Sequence, residues 1–313
     1  MKFLNRKTHI DFMGKRKPAF ILSAVLVILS ITSLVTRGLN PGLDFTGGML
    51  IEVSYPSAVE VSDVKTNLKN ADVTDAVVQQ FGTALDIVVR VPPRAVEESN
   101  AELSTIVLSA LQQGVEGEVL MRRVEFVGPQ VGDELTEQGI LAVVYALIGI
   151  FLYVMFRFQW RFSVGAVTAL VHDIIITMGI LSLLQVEFDL TVVAALLAVV
   201  GYSLNDTIVL FDRIRENFPR LRKSAPTEVV NTSVNETLSR TLMTSLTTLL
   251  VLTALFIFGG EIIHAFAFTL IIGVLVGTYS SIYVASSTLL LLGVSKFDLL
   301  QVEKEGAATD SMP

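Results

Sequence analysis

The sequence predicts a six-span helical membrane protein with one α+β domain held outside the bilayer, between the first and second spans. Three observations lead there. The 313 residues are 52% hydrophobic and 17% charged, too apolar for a soluble chain of this length. The apolar residues gather in six runs, at 19–36, 139–156, 162–184, 190–211, 241–260 and 265–293. Each run can supply the roughly 20 residues that a spanning helix needs. Between the first two runs, residues 38–138 have the mixed composition of a soluble domain.

The first segment, 1–18, carries Lys2, Arg6, Lys7, Lys15, Arg16 and Lys17. A secretory signal also starts this way, but the run that follows is long for one and ends without a small-x-small cleavage pattern. It reads as an uncleaved anchor, span one at 19–37. Further basic residues cluster at Arg157 and Arg161, between spans two and three. Between spans four and five stand Arg213, Arg215, Arg220, Arg222 and Lys223, with Arg240 closing the loop. The loops 185–189 and 259–264 have neither Lys nor Arg. This bias puts both termini in the cytoplasm and the segment 38–138 on the opposite face. That segment has 16 Asp and Glu against 6 Lys and Arg, which disfavours an anionic partner there. With no cysteine and three scattered histidines (His9, His172, His264), neither disulfides nor a metal site is expected.

Within 38–138 the periodicity changes repeatedly. Residues 49–55 alternate as a strand, and 59–71 place Val61, Val64, Leu68 and Ala71 at helical spacing. The β-rich runs 76–81 and 85–91 flank Gly82-Thr83-Ala84 and read as a hairpin. Helical spacing returns over 95–113, and 118–127 reads as a last strand. The order β-α-β-β-α-β is that of a ferredoxin-like domain. Gly128-Pro129-Gln130-Val131-Gly132 then breaks the strand. It reads equally as a linker that starts a helix and as a hinge at Gly128, Pro129 and Gly132. Spans two to six occupy 139–293. Near 226–239, the stripe Val230, Val234, Leu238 predicts an amphipathic helix lying at the cytoplasmic interface. Residues 294–313 read as a cytoplasmic tail, polar and disordered after Leu300.

Ionisable groups inside spans cost several kcal/mol, so each one is a functional candidate. Span four carries Tyr202, Asn205 and Asp206 on one helix face; span five carries Arg240, Thr244, Thr247 and Thr248 in one stripe. Consecutive spans run antiparallel, which puts Asp206 and Arg240 at similar depth and able to pair. A structural ion pair is the plainer reading, a titrating Asp206 the sharper one. Desolvation and a neighbouring guanidinium act on a carboxyl in opposite senses, so relative motion of the two helices would let Asp206 take up and release a proton. Arg240 keeps its charge and would switch partners instead. On span three, His172-Asp173 makes Asp173 a second candidate, which His172 could also satisfy locally. Two aspartates on neighbouring spans raise an intramembrane aspartyl protease, but the Tyr-Asp and Gly-x-Gly-Asp signatures are absent. Gly273 and Gly277, followed by Ser280, Ser281 and Ala285, form a small-residue packing face. Gly47-Gly48 lacks the lysine of a phosphate loop.

Several stretches together resemble one family. They are Leu43-Asp44-Phe45-Thr46-Gly47-Gly48, Val124-Glu125-Phe126-Val127-Gly128-Pro129, Gly201-Tyr202-Ser203-Leu204-Asn205-Asp206, Asp212-Arg213-Ile214-Arg215-Glu216-Asn217 and Ser239-Arg240-Thr241. The chain resembles, along its whole length, the SecF family: the smaller subunits of the SecDF accessory to the bacterial Sec export channel, within the resistance–nodulation–division superfamily. The resemblance implies a non-enzymatic subunit of the bacterial inner membrane that works with SecD. It would act beside the SecYEG translocon, with YajC and YidC as further partners, drawing preproteins out on the periplasmic side. The proton-motive force would drive it, with protons as the coupling ion and no cofactor. The family associates the span-four Asp and the span-five Arg with proton conduction, which here fall on Asp206 and Arg240, with Asn205 adjacent and Thr244 one turn on. A proton-coupled exporter of a small molecule or lipid is the rival reading, although one small exported domain encloses little volume. Six spans and one large loop look like half of a two-lobed transporter, so a second polypeptide is expected to complete it.

Overall fold

The computed structural model describes residues 8–93 and 100–294. The tail beyond Val294, the first seven residues, and residues 95–99 of the expected 95–113 helix lie outside the described residues. Helix α1 (Arg16–Thr36) leads through a short strand β1 (Asn40–Pro41) and a single turn α2 (Leu43–Thr46) into the soluble unit. That unit comprises β2 (Gly48–Ser54), α3 (Val61–Asn70), β3 (Val77–Phe81), β4 (Thr83–Val91), α4 (Asn100–Leu111) and β5 (Leu120–Val127). Then come α5 (Pro129–Arg157), α6 (Trp160–Leu184), the short strand β6 (Glu187–Phe188) and α7 (Leu190–Arg220). Last are α8 (Pro226–Phe258) and α9 (Glu261–Ser280), which runs through a π turn at Ser281–Ala285 into α10 (Ser286–Leu291). Among the described residues, six helical segments are long and apolar enough to cross a membrane: α1, α5, α6, α7, α8 and the α9–α10 continuum. The chain is a multi-pass membrane protein.

Small residues set the helix contacts. A side chain at Gly179 of α6 would sit 2.2 Å from Ser30 Cβ of α1, and one at Gly273 of α9 would sit 2.0 Å from Val199 of α7. Gly277 meets Ser203 in the same way, at 3.0 Å. In a bilayer lipid tails compete equally for apolar surface, so such close backbone approach is what holds helices together. At one end of the bundle Phe158, Phe162 and Phe211 interlock, the last two edge to face with centroids 5.1 Å apart. This is the end where the basic loops cluster. Residues 8–13 also lie here, clipped to α8 by bonds from the Phe12 and Met13 amides to Asn231 Oδ1.

The predicted interfacial helix at 226–239 is not a separate element. Residues 226–258 form one continuous helix, and the stripe Val230, Val234, Leu238 is buried in the core with Phe211, Ile214 and Phe218 of α7. No glycine interrupts this stretch and its one proline stands at the first position, so nothing in the backbone ends the helix before span five begins.

In the soluble unit the strands lie in the order β3-β4-β2-β5 and every neighbouring pair is antiparallel. Ile51, Val53, Ile87 and Val89 of the sheet pack with Leu68 of α3 and Val107 and Leu111 of α4. Asp86, beside the β3–β4 turn, accepts a 2.6 Å bond from Thr83 Oγ1 and pairs with Arg122 at 3.2 Å. The Thr83 hydroxyl, with help from Ser54 and Arg122, holds the Asp86 carboxyl below its usual range. A carboxylate whose folded pKa is depressed adds stability above its unfolded pKa of about 4 and loses it as pH falls through the folded value. The expected result is a melting temperature for wild type that falls below pH 4 more steeply than that of Asp86→Asn, read by thermal unfolding from pH 7 to 2.5.

The two chain crossings between the unit and the bundle meet at one crowded point, and Arg90 of β4 also pairs with Glu187 of β6. Gly47 and Gly48 both have positive φ, 65° and 111°. A side chain at Gly48 would sit 2.3 Å from Val91 O, and one at Gly47 would sit 3.1 Å from Pro129 Cα. Of the hinge candidates, Gly128 is the single residue between β5 and α5, and Pro129 opens α5, where its missing N–H is harmless. Gly132 lies in the first turn of α5, with Phe45 O 3.0 Å from where its Cβ would be. Gly48→Ala is expected to lower stability by about 1–3 kcal/mol from backbone conformation alone, before the clash is counted. Thermal unfolding against Gly38→Ala, a positive-φ glycine with nothing within 4 Å, separates the two contributions.

Candidate functional site

The polar residues of the spans form a belt inside the bundle, centred on α6, α7 and α9. Asp173 of α6 is the most enclosed, 1% exposed. Its Oδ2 accepts hydroxyl bonds from Ser203 of α7 at 2.6 Å and Ser280 of α9 at 2.7 Å. Its Oδ1 lies 3.0 Å from His172 Nδ1. The His172 ring stacks on Tyr279, whose hydroxyl donates to Ala19 O and meets Ser23 Oγ, so the network extends into α1. Asp173 thus ties three helices together directly. Ser280 is the residue before the π turn, a backbone irregularity found often at functional sites.

Asp206 lies one turn further along α7 from Ser203 and has a different environment. It is 4% exposed, and its Oδ2 is buried with no hydrogen-bond partner. Thr207 beside it also has a buried hydroxyl without a partner. Arg240 opens the spanning part of α8, but the expected direct ion pair with Asp206 is not formed among the described residues. The reason is orientation: Asp206 faces inward, whereas the Arg240 and Asn205 side chains are both exposed. Thr244 is half-buried and returns its hydroxyl to Arg240 O and Thr241 O of its own helix, as Thr247 does to Met243 O and Thr244 O. Tyr202 reaches Ser245 of α8 at 3.4 Å, and Ser245 meets Thr278 of α9 at 2.7 Å.

Four of the sequence-derived residues, Asn205, Asp206, Arg240 and Thr244, therefore lie on the adjoining α7 and α8, with Asp206 inside and Asn205 and Arg240 exposed. Asp173 sits deeper, behind Ser203. Neither serine that holds Asp173 is legible as its partner in the sequence, where Ser280 belongs only to a small-residue packing face. Serine is ordinary in a spanning helix, and only the packing of Gly277 against Ser203 shows why that one faces inward. Among the described residues no cluster of three or more His, Cys, Asp or Glu could hold a metal.

A multi-pass helical bundle with carboxylates buried between its helices, joined to one soluble α+β unit, defines a polytopic membrane protein whose intramembrane ionisable groups mark a functional site. Comparison with known proteins narrows this. Residues 107–295 match the family profile described as protein export membrane protein SecD/SecF, C-terminal, and residues 32–55 match the SecD/SecF GG motif. The protein translocase subunit SecF of Vibrio alginolyticus is 53% identical over 100% of this chain and 99% of its own length. That of Pseudomonas aeruginosa is 50% identical over 96% and 97%. The chain belongs to the SecF family of protein-export membrane proteins. The crystal structure of SecDF from Thermus thermophilus, a translocon-associated membrane protein, superimposes with a TM-score of 0.82 at 39% identity, over 93% of this chain. This chain spans 39% of the length of that one. A SecDF structure in a super-membrane-facing form, also 39% identical, gives a TM-score of 0.67.

Proposed function

We propose that this chain is the SecF half of a proton-driven accessory to preprotein export, completed by SecD. The observation that carries it is Asp206: a buried carboxyl with an unpartnered oxygen, with the exposed Asn205 and Arg240 on the adjoining α7 and α8. A second lobe over those side chains would enclose all three, and the solved SecDF chain is long enough to contain one. Protonation then answers to which lobe surface is opposed. When Arg240 swings toward Asp206 the carboxylate is favoured, and when it swings away the protonated acid is. Asp206 is the proton carrier, Arg240 the switch, and Asn205 and Thr244 line the way to it. Asp173 is a secondary proton site or, as its three partners suggest, a clamp.

In this reading the soluble unit is a ferredoxin-like domain on the periplasmic face of the bacterial inner membrane; its strand order and antiparallel pairing support that. Both termini are cytoplasmic, in line with the basic residues gathered at the opposite end. SecYEG, with YajC and YidC, supplies the preprotein. The chain is not an enzyme and takes no cofactor beyond the proton. An aspartyl protease needs two carboxylates sharing a proton, whereas Asp173 is engaged by Ser203, Ser280 and His172, and no Asp173–Asp206 bond is present among the described residues. A small-molecule exporter is disfavoured by the packed core of the soluble unit. Secretion of a model preprotein from membrane vesicles, with and without an imposed proton gradient, tests the proposal. A gradient-dependent increase that requires this chain is expected, and equal secretion in vesicles lacking it overturns the reading.

A further inference from the structure

The bundle is incompletely packed at the end nearer the soluble unit. A cavity of about 450 Å³ opens there between α5, α6 and α7. Ile140 and Val144 of α5 form one wall, and Ile174 and Met178 of α6 another. Phe45 and Phe188, with ring centroids 5.7 Å apart, cap the end. One lining side chain has a polar atom, Thr136, and its hydroxyl is already given to Gly132 O at 2.9 Å. Water in a cavity needs two to four polar partners; this one offers none to spare.

Ile140 and Val144 of α5, Ile174 and Met178 of α6 and Val193 and Leu196 of α7 belong to the apolar spans, while Phe45 and Phe188 close the end toward the soluble unit, so the medium next to the cavity's open side is lipid tail. Apolar walls give no preference for a protein side chain over a lipid methylene. They do forfeit dispersion contacts if nothing fills the space. Gly139 helps to keep it open. A Cβ there would meet Phe45 Cε1 and Val193 Cγ2 at 3.9 Å, ordinary contact distance, so the backbone excludes no side chain at this position.

Charge at the mouth selects the headgroup. Asp133 lies one turn before Thr136, and Glu137 follows it; both are exposed on the stripe of α5 that leads out of the cavity. From Pro129 to Phe156, α5 carries no Lys or Arg. We infer that the cavity holds one acyl chain of an amine-headed phospholipid, of the phosphatidylethanolamine type, from the leaflet on the side of the soluble unit. Its ammonium group lies over Asp133 and Glu137. The site makes no use of Asp206 or Arg240 and stands apart from the proton reading.

Photo-crosslinking tests it on the full chain purified with its partner subunit. Phosphatidylethanolamine and phosphatidylglycerol, each with a diazirine in the acyl chain, are the probes. Wild type is expected to be labelled on peptides containing Ile140 and Met178, with the amine lipid ahead by about five-fold. Gly139→Phe, which fills the space, reduces that labelling to background without lowering the melting temperature; Val143→Phe serves the same purpose if that variant fails to fold. Asp133→Asn with Glu137→Gln keeps the labelling but removes the difference between the lipids. Equal labelling of wild type by both probes overturns the proposal. So does labelling that both filling variants leave unchanged, or cavity residues that crosslink to the partner subunit in place of lipid.

Discussion

Asp206→Asn is expected to abolish gradient-dependent secretion while the chain stays inserted, folded and bound to its partner. Asparagine keeps the shape of the side chain and removes the exchangeable proton. The Asp206 Oδ2 makes no hydrogen bond, so the substitution breaks none there. Replacing a buried, unpaired charge by a neutral group of equal volume leaves stability equal or higher. Function and folding should therefore part company in this variant. Vesicle secretion with and without a gradient gives the first, and thermal unfolding of the purified protein gives the second. One charge crossing 100 mV gains about 2.3 kcal/mol, so mechanical output on the scale of a domain movement draws on several protons in succession. On the role proposed for Asp206, its loss removes all of them. A variant that still secretes in response to the gradient takes Asp206 out of the mechanism.

Asp173→Ala has the opposite profile: it damages the fold first. Ser203 loses its acceptor, Ser280 keeps only Gly277 O at 3.1 Å, and His172 loses its oxygen partner, all inside the bundle. Buried donors left unpaired cost about 1–3 kcal/mol each, so a drop in melting temperature and in membrane yield is expected. Asp173→Asn retains one acceptor oxygen and separates the two roles open to this residue. If that variant folds and secretes, Asp173 is a clamp between helices. If it folds and fails to respond to the gradient, Asp173 is also in the proton path. The same two measurements, secretion and thermal unfolding, decide.

The spans were legible because a bilayer demands long apolar runs, and little else in the sequence competes with that signal. Asp206 and Asp173 stood out for the related reason that charge inside such runs is rare. What escaped was anything that depends on how helices face one another. Ser203 and Ser280 are invisible as partners until Gly277 is seen to bring α7 and α9 together. Arg240 has the right depth to meet Asp206, but depth says nothing of azimuth, and its side chain is exposed. The stripe at 226–239 has the spacing of an interfacial helix and so reads as a separate element. That stripe covers α7 instead, and the absence of any internal breaker was the cue to continuity. Gly47-Gly48 could be excluded as a phosphate loop, yet its use as a close backbone contact with Val91 and Pro129 joins segments far apart in the chain.

That contact has a mechanical corollary. The soluble unit is attached by two crossings, one before β2 and one after β5, and the double glycine presses them side by side. β5 passes into α5 with Gly128 alone between them, leaving no slack to absorb movement. Two tethers pinned at one place act as a fulcrum, and α5 is the lever arm. A small tilt of that helix in the lipid must therefore reappear, magnified by distance, as a sweep of the far edge of the sheet.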